Sequence, residues 1–431
     1  MTIEGFRSAV AGASPAALLP DRSQARAASL TGDITVLDIL DLGSDAKGRP
    51  AAVAVVRVAG RDLIAPGVVA DGVFHRDPGV ASLLVPGTRG AFEVELIGSG
   101  VPTADAVPLD VDQSNDSVVI GDVMVKWQLD AAVSPAPDRL RALVGSGTVP
   151  ELRAIVTWTH PDGARCTVLT AAEALPDAED GWTWAVEQVR AHARGDDVDA
   201  LTPFALIGSM TARMQAALSR TGGAVWGRDD IARLHTECCE RLAEAADTVG
   251  GPEGERLRAR KARIRHVLDG LLDVDETPVI DIHGDLHVGQ VLRSPRAEGD
   301  SVLAFVDFDG NPLLSAEERC ARQPAARDVA GMLASIDHVA RVVNHHTPDL
   351  DPERARAWIP VAQREFLDAY RAELDARGCA GLLDERLLPA MMVDQELREY
   401  RYAVQYLPHW TYVPDAVITD LLPDDATEQE S

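Results

Sequence analysis

The octapeptide HGDLHVGQ at residues 283–290, followed by VDFDG at residues 306–310, decides how this chain is interpreted. The second motif ends the apolar run VLAFV, which is typical of a buried strand. Asp285, Gln290 and Asp307 therefore place two carboxylates and one amide in a fixed order along the chain. Carboxylate and amide oxygens are ligands that Mg²⁺ accepts in proteins.

These three side chains meet the requirements of phosphoryl transfer. A carboxylate must orient and deprotonate the acceptor hydroxyl, and oxygen ligands must hold Mg²⁺ on the nucleotide phosphates. The spacing matches an H-x-D-x-x-x-x-N catalytic loop, with Gln290 in place of asparagine. We predict that Asp285 is the base and that Gln290 and Asp307 bind the metal. The alternative is that His283 and Asp285 cap a turn and Asp307 ends a strand.

The upstream half contains a candidate nucleotide-binding hairpin at residues 117–127, with the turn Gly121-Asp122 between two apolar runs. Lys126 lies in the second run and is one of only three lysines among 41 basic residues. A compact ammonium suits the α- and β-phosphates of ATP. The alternative is a lysine whose ammonium extends from a strand end into water.

Polar residues on either side of the hairpin are further nucleotide-binding candidates. Four of them are predicted to cover the phosphates, unless they form a plain solvated turn: Gln113, Ser114, Asn115 and Ser117. Asp138, early in a helix predicted at residues 137–145, is predicted to pair with Lys126. The alternative role for Asp138 is the N-cap of that helix.

The order of the motifs resembles that of the actinobacterial maltokinases, within the aminoglycoside phosphotransferase-like kinases. The resemblance spans about residues 110–415 and rests on QSN (113–115), Lys126, DGW (180–182), HGDLHVGQ, VDFDG, RDVAGML (327–333), EYRY (399–402) and PHW (408–410). It implies an α+β, bilobal eukaryotic-like kinase fold with an N-terminal cap and a mostly helical C-lobe. It also implies ATP and Mg²⁺ as cofactors and a sugar as acceptor. Asp328, in RDVAGML, is expected either to brace the catalytic loop or to cap its helix.

The acceptor site is predicted on a helix at residues 391–406, followed by Trp410. At helical spacing Gln395, Glu399 and Tyr402 share one face, and Asp394 and Glu396 flank it. Maltokinases typically have a lysine and a small residue in place of Gln395 and Glu396. This departure favours a pocket for an ammonium and makes the chain more similar to the glucosamine kinases that resemble maltokinases.

The predicted acceptor residues are Asp394, Gln395, Glu396, Glu399, Tyr402, Trp410 and, on the catalytic loop, His287. Two alternatives stay open at this point. The alternative for residues 394–396 is a surface helix, and the alternative for Trp410 is the hydrophobic core. The predicted reaction is the phosphorylation of glucosamine at its 6-hydroxyl by ATP. The alternatives are a maltokinase that makes maltose 1-phosphate and, from another class, a pseudokinase or scaffold.

Composition limits the partners. The chain has 431 residues and a formal net charge of −27, which argues against nucleic acid and anionic membranes. The five cysteines are odd in number and lack zinc-ligand spacing, as expected in a reducing compartment. The N-terminus lacks the apolar segment of a signal peptide, so we predict a cytoplasmic protein with a small-molecule sugar substrate. No feature of the sequence specifies an oligomeric state.

Three segments differ in character. Residues 1–100 alternate short β-like runs with turns and are predicted to form the cap, and residues 101–203 complete the N-lobe with the nucleotide-binding hairpin and a hinge strand. Residues 204–431 are predicted to form the helical C-lobe with the catalytic loop and the acceptor site. Within it, the arginine-rich helix at 254–273 is predicted to present a solvated basic face.

Overall fold

The computed structural model describes residues 2–20, 23, 30–109, 115–295 and 301–423. The chain divides into two compact units. The first comprises Met1–Val144 and Pro150–Leu175, and the second comprises Gly145–Val149 and Pro176–Ser431. Strands dominate the first unit and helices the second, so the predicted mixture of helix and sheet is confirmed.

The first unit is built on one large antiparallel sheet. Its helices are α1 (Ile3–Ala11) and α2 (Ala136–Ala142). Its strands are β1 (Thr35–Ser44), β2 (Pro50–Val58), β3 (Arg61–Ala70), β4 (Val73–Arg76), β5 (Gly87–Arg89), β6 (Phe92–Leu96), β7 (Ala106–Pro108), β8 (Asn115–Ile120), β9 (Val123–Ala132), β10 (Leu152–Thr159) and β11 (Arg165–Glu173). The strand order is β1-β2-β3-β9-β11-β10-β6-β5, with β4 paired to β3, β7 to β8 and β8 to β9.

Strand β2 shows why this sheet is covered on both sides. Its sequence is almost continuously apolar, as expected for a strand with two buried faces. Val53 and Val55 belong to one hydrophobic cluster, whereas Ala54 and Val56 belong to a second cluster that includes Phe6 of α1. Because side chains alternate between the faces of a strand, the two clusters lie on opposite sides of the sheet.

The division between the two units differs from the boundaries expected at residues 100 and 203. Strand β6 pairs with β10, and β3 pairs with β9, so strands from before and after residue 100 belong to the same sheet. Residues 176–203 belong to the second unit, where their helix packs on other helices. The predicted hairpin at 117–127 is present as β8 and β9.

The second unit is mostly helical. Its helices are α3 (Gly181–Arg194), α4 (Thr202–Leu218), α5 (Arg228–Thr248), α6 (Gly251–Asp269), α7 (Ala316–Cys320), α8 (Ala326–His346), α9 (Pro352–Ala376), α10 (Leu388–Tyr406) and α11 (Tyr412–Leu421). Two small antiparallel pairs join β12 (Ala224–Trp226) to β13 (Thr277–Val279) and β14 (Val291–Pro295) to β15 (Ser301–Phe305). The helix predicted at 391–406 is α10.

Helix α8 forms the centre of this unit. Every residue from 326 to 340 is buried, including four polar or charged side chains that follow Arg327: Asp328, Ser335, Asp337 and His338. A helix that is buried on all sides must satisfy such groups with partners from neighbouring elements. The polar residues of α8 therefore indicate which elements it organises.

The solvated basic face predicted for α6 is present in large part: Arg256, Arg258, Lys261 and Arg265 are exposed. Arg256 forms an ion pair with Asp415 of α11 at 2.6 Å, and Arg258 donates to the carbonyl oxygens of Ala246 and Val249. Arg260 is buried. Arg256 and Arg258 thus connect α6 to its neighbours while remaining exposed to water. Across the described ranges, the structure contains no helix with both the length and the apolar character needed to span a bilayer.

Candidate active site

The octapeptide at 283–290 forms a loop that ends in a short 3-10 helix, Val288–Gln290, and α8 fixes its backbone. The carboxylate of Asp328 accepts the backbone N–H groups of His283 at 2.8 Å and Gly284 at 2.9 Å. The hydroxyl oxygen of Ser335 accepts the N–H of Val288 at 3.0 Å. Asp328 thus braces the loop, as one of the two predictions proposed. It does not cap its helix, because the N-cap position is Ala325.

Two glycines let helices approach the loop backbone directly. A Cβ atom at Gly331 of α8 would lie 2.6 Å from the carbonyl oxygen of Leu286. A Cβ atom at Gly181 of α3 would lie 1.6 Å from the carbonyl oxygen of Val288. Both distances are far below van der Waals contact, so only glycine fits at these two positions. The loop is therefore packed between helices on two sides.

The predicted metal ligands lie at one end of the β14–β15 hairpin. The N–H of Val306 donates to the carbonyl oxygen of Gln290 at 3.0 Å, which places Gln290 beside the residue that precedes Asp307. His283 donates from Nε2 to the carbonyl oxygen of Val306 at 2.9 Å. Asp307 has a φ of +64°, a conformation that non-glycine residues adopt at a cost of about 1 kcal/mol or more and that is enriched at functional sites.

Asp285 is positioned by a residue that the sequence analysis missed. The side-chain amide of Asn311 donates from Nδ2 to Oδ1 of Asp285 at 2.9 Å. Burial raises the pKa of the Asp285 carboxyl above its ordinary value, and the nearby Asp307 and Glu399 carboxylates raise it further. Asn311 directly follows the VDFDG turn. Its closeness in sequence to the predicted metal ligand Asp307 is the signal that could have identified it as a site residue.

Aromatic rings form a continuous wall from the candidate catalytic loop to the C-terminal helices. The rings of His287 and Trp182 have centroids 6.3 Å apart, and Trp182 meets Trp410 edge-on at 5.8 Å. The ring of His338, on α8, stands perpendicular to Trp410 at 6.1 Å. His287 and Trp410 were predicted to lie in the acceptor site, whereas Trp182 and His338 were not. No periodic pattern distinguishes the latter two from ordinary core residues.

Glu399 of α10 faces this wall and is held by neutral donors. The indole N–H of Trp410 donates to Oε2 at 3.1 Å, and the amide of Gln395 donates to Oε1 at 3.0 Å. Among the residues that the structure describes, Glu399 forms no ion pair. No guanidinium or ammonium of the described residues therefore pairs with this carboxylate. The expected common face of Gln395 and Glu399 is present.

Asp394, also predicted to bind the acceptor, is instead a structural residue. Its side chain is fully buried and accepts hydrogen bonds from three guanidinium groups: Arg241 at 2.6 Å, Arg327 at 3.1 Å and Arg398 at 3.1 Å. Burial alone would raise its pKa, but these arginines outweigh burial and hold the pKa well below its ordinary range. A carboxylate with three cationic partners has no free charge for a ligand, so we remove Asp394 from the candidate acceptor residues.

Glu396 and Tyr402 also differ from the prediction. Glu396 is fully buried, and both of its oxygens lie within hydrogen-bond distance of His338 Nε2, at 3.1 and 3.2 Å. A ligand cannot reach that carboxylate directly, because His338 occupies it. Tyr402 is 40% exposed, and its ring contacts Tyr406 at 5.4 Å. The surface-helix alternative fails for Asp394 and Glu396, since neither is exposed.

The nucleotide-binding candidates lie in the first unit. Lys126 is half-buried in β9, directly opposite Ser117 of β8, and Asn115 is buried in the same strand. Asp138 forms an ion pair with Arg141 at 2.6 Å, and the helix begins at Ala136, so Asp138 is not its N-cap. Gln113 and Ser114 lie outside the described residues. The roles of these residues in binding ATP stay predictions.

Comparison with known proteins identifies the family. The chain is 43% identical over 436 aligned residues to a glucosamine kinase from Streptacidiphilus jiangxiensis, covering 96% of this chain and 97% of that protein. It is 39% identical over 408 residues to a glucosamine kinase from Mycolicibacterium smegmatis, covering 90% of this chain and 98% of that protein. No protein-family model matches the chain.

A solved structure provides the second comparison. A glucosamine kinase in complex with glucosamine, ADP and inorganic phosphate aligns with a TM-score of 0.84 and 41% sequence identity, covering 97% of this chain and 99% of that one. Sequence and fold therefore agree over almost the whole length, and the predicted resemblance to glucosamine kinases is confirmed. The chain belongs to the glucosamine kinase family.

Proposed function

We propose that this protein is an ATP-dependent sugar kinase that transfers the γ-phosphoryl group of ATP to the 6-hydroxyl of glucosamine. The observation that carries the proposal is the Glu399 carboxylate, which is held by Trp410 and Gln395 and has no cationic partner among the residues that the structure describes. It lies near Asp285. The relatives are named glucosamine kinases, which does not favour the maltokinase alternative. The family resemblance further supports a bilobal eukaryotic-like kinase fold with an N-terminal cap.

In the proposed mechanism Asp285 is the general base. Asn311 fixes Oδ1 of Asp285, which leaves Oδ2 to accept the proton of the sugar hydroxyl. The hydroxyl oxygen then forms a bond to the γ-phosphorus while the bond from that phosphorus to the β,γ-bridging oxygen breaks, and ADP leaves. Asp328, Ser335, Gly331 and Gly181 hold the loop so that this carboxylate keeps one position.

The donor set fits a divalent cation. Gln290 and Asp307 supply an amide oxygen and a carboxylate at one end of the hairpin, and Mg²⁺ in kinases is bound by one or two such side chains plus the nucleotide phosphates. When bound, Mg²⁺ neutralises charge on the phosphates. We assign the phosphates also to Lys126, with Asn115 and Ser117 beside it on β8.

The acceptor site is proposed to recognise the ammonium of the sugar through Glu399. Because the two N–H donors to Glu399 are neutral, its carboxylate can form a charge-assisted hydrogen bond with an ammonium. The rings of His287 and Trp410 border the same space. Asp394 and Glu396 have no direct part in this site.

Steady-state ADP production with glucosamine, glucose and maltose as separate acceptors tests the proposal. We expect the highest kcat/KM for glucosamine and a product phosphorylated at carbon 6, assigned by phosphorus–proton correlation spectra. A preference for maltose would contradict the proposed acceptor. For the metal site, calorimetry of Mg·ATP binding should show loss of affinity in Asp307→Ala and none in Asp247→Ala, an exposed aspartate on α5.

A further inference from the structure

The pair formed by Glu396 and His338 is buried beneath the acceptor site and has no role in the mechanism above. His338 is 2% exposed and Glu396 is fully buried. The two residues join α8 to α10, since His338 Nε2 lies 3.1 and 3.2 Å from the two carboxylate oxygens. Placing an ion pair in the core gives little net stability compared with apolar residues of the same size. A contribution to site geometry is therefore the more informative explanation for it.

The side chain of Trp410 connects the pair to the acceptor site by direct contact. The imidazole of His338 stands at 88° to the Trp410 indole, with centroids 6.1 Å apart. The indole N–H in turn donates to Oε2 of Glu399 at 3.1 Å. Trp410 lies in a short 3-10 helix, Pro408–Trp410, beyond the end of α10, so the geometry of the long helix does not fix the position of its ring. The position of the Trp410 ring is fixed instead by the rings that pack against it.

Among the described residues, three rings are packed against Trp410: Trp182 at 5.8 Å, His338 at 6.1 Å and Tyr412 at 6.1 Å. Of these, only His338 is itself fixed by a hydrogen-bonded carboxylate in the core. Because Glu396 holds the imidazole by both oxygens, it limits rotation of that ring. The indole is then held at the angle at which its N–H meets Glu399.

We propose that Glu396 and His338 are positioning residues that determine the preference for an amino sugar by holding Trp410, and through it the Glu399 carboxylate, in place. The inference rests on the proposed role of Glu399. Neither Glu396 nor His338 contacts the sugar. Glu396 contributes to amino-sugar recognition indirectly, through His338 and Trp410. It does not bind the ammonium itself, as the sequence analysis predicted it would.

The test compares sugar affinity in variants that keep hydrogen bonding but remove one property each. Glu396→Gln removes the charge of the buried carboxylate, and His338→Gln removes the ring that packs against Trp410. Glu399→Gln serves as the reference for loss of the ammonium-binding charge. For each, calorimetry measures the Kd of glucosamine and of glucose, and kcat is measured at saturating glucosamine and ATP.

We expect Glu396→Gln and His338→Gln each to weaken glucosamine binding by about 5- to 10-fold and glucose binding by less than about twofold, because a misplaced carboxylate loses much of a charge-assisted hydrogen bond. The double variant should lose no more than the larger single loss, since both act through Trp410. ATP affinity should stay unchanged. An unchanged ratio of the two sugar affinities in both single variants, beside a reduced ratio in Glu399→Gln, would overturn the positioning role and leave the site assignment intact.

An unchanged ratio in Glu399→Gln would instead overturn the acceptor assignment, and the inference with it. Asp415→Asn is the control for general destabilisation, because it removes a partly buried ion pair with Arg256 that touches neither Trp410 nor Glu399. It should lower Tm without changing either sugar affinity. If Asp415→Asn lowers the glucosamine-to-glucose ratio as much as Glu396→Gln does, the effect is general stability, and the positioning role is excluded.

Discussion

Asp394 and Glu399 lie on the same helix, yet their surroundings are opposite. Asp394 is enclosed by Arg241, Arg327 and Arg398, which belong to three different helices, α5, α8 and α10. Within the described part of the chain, Glu399 is held only by an indole N–H and an amide N–H. The first carboxylate is neutralised by its neighbours, and the second is oriented without being neutralised.

The difference separates carboxylates that hold the unit together from those that remain available for chemistry. Asp285 belongs with Glu399, since its hydrogen-bonding partner among the described residues is the neutral amide of Asn311. Neutral donors fix the direction of a carboxylate while leaving its charge to act on a ligand or a proton. Guanidinium groups use that charge to join helices.

Replacing Asp285 with asparagine should have the largest effect on activity. The change removes the proton acceptor while keeping the hydrogen-bonding shape, so kcat should fall by about 10²- to 10⁴-fold. Affinity for ATP should change little, and Tm should stay the same or rise, because the enzyme no longer holds an unneutralised carboxylate in a partly buried position. Single-turnover kinetics measure the rate of phosphoryl transfer, and thermal denaturation measures Tm. A variant with near-normal kcat would show that Asp285 is not the base.

Asp394→Ala should have the largest effect on stability. It leaves three guanidinium groups facing one another in the interior, which should lower the free energy of unfolding by about 3–5 kcal/mol. Glu399→Ala is the matched comparison, and it should lower that free energy by less than about 1 kcal/mol. Urea denaturation checks both. Equal losses would remove the distinction between the two carboxylates.

Glu399→Gln should affect sugar preference more than stability. A charge-assisted hydrogen bond is worth roughly 1.5–3 kcal/mol, or about 10- to 100-fold in kcat/KM. We expect that loss for glucosamine and a much smaller one for glucose, whose hydroxyl gains little from the charge. Initial rates with both sugars give the ratio of kcat/KM for glucosamine to kcat/KM for glucose. Equal losses on the two sugars would mean that Glu399 does not read the ammonium.

The smallest expected effect is a dependence of stability on pH. Burial lowers the pKa of His338, but the Glu396 carboxylate outweighs burial and raises it to about 9, above the value of about 6.5 in an unfolded chain. The resulting stability is fully present below pH 6.5 and is lost as the pH rises through 9. Between about pH 6.5 and 9.5 the free energy of unfolding should fall by about 1–3 kcal/mol more in the unmodified protein than in His338→Gln, as measured by urea denaturation. If the free energies of unfolding of the two proteins changed in parallel with pH, His338 would not be charged in the folded state.

Local sequence patterns predicted the elements well, because hydrophobic periodicity and turn residues are local signals. The β8–β9 hairpin and the helices α2 and α10 lie close to their expected positions. The pairing of β6 with β10 was not predictable, because strand pairing over a long separation leaves no mark in either segment. This is why the boundary expected at residue 100 differs from the observed division.

The octapeptide could be recognised as a candidate catalytic loop because its polar residues are closely spaced and match the requirements of phosphoryl transfer. Asn311, Trp182 and His338 were missed, since each comes from a different element and acquires its role only through tertiary contact. The acidic residues of α10 were recognised as a group, but sequence alone could not distinguish them. Their partners lie far away along the chain, on α5 and α8.

The bracing of the octapeptide by α8 also has a consequence for motion. The amide hydrogens of His283, Gly284 and Val288 are donated to side chains of a helix buried along residues 326–340. Exchange of these hydrogens with deuterated water requires the loop to detach from α8, and α8 has no exposed side through which to move away. We therefore expect these three amides to exchange on the slow timescale of core helices, hours or longer in a stable domain, unlike those of ordinary surface loops.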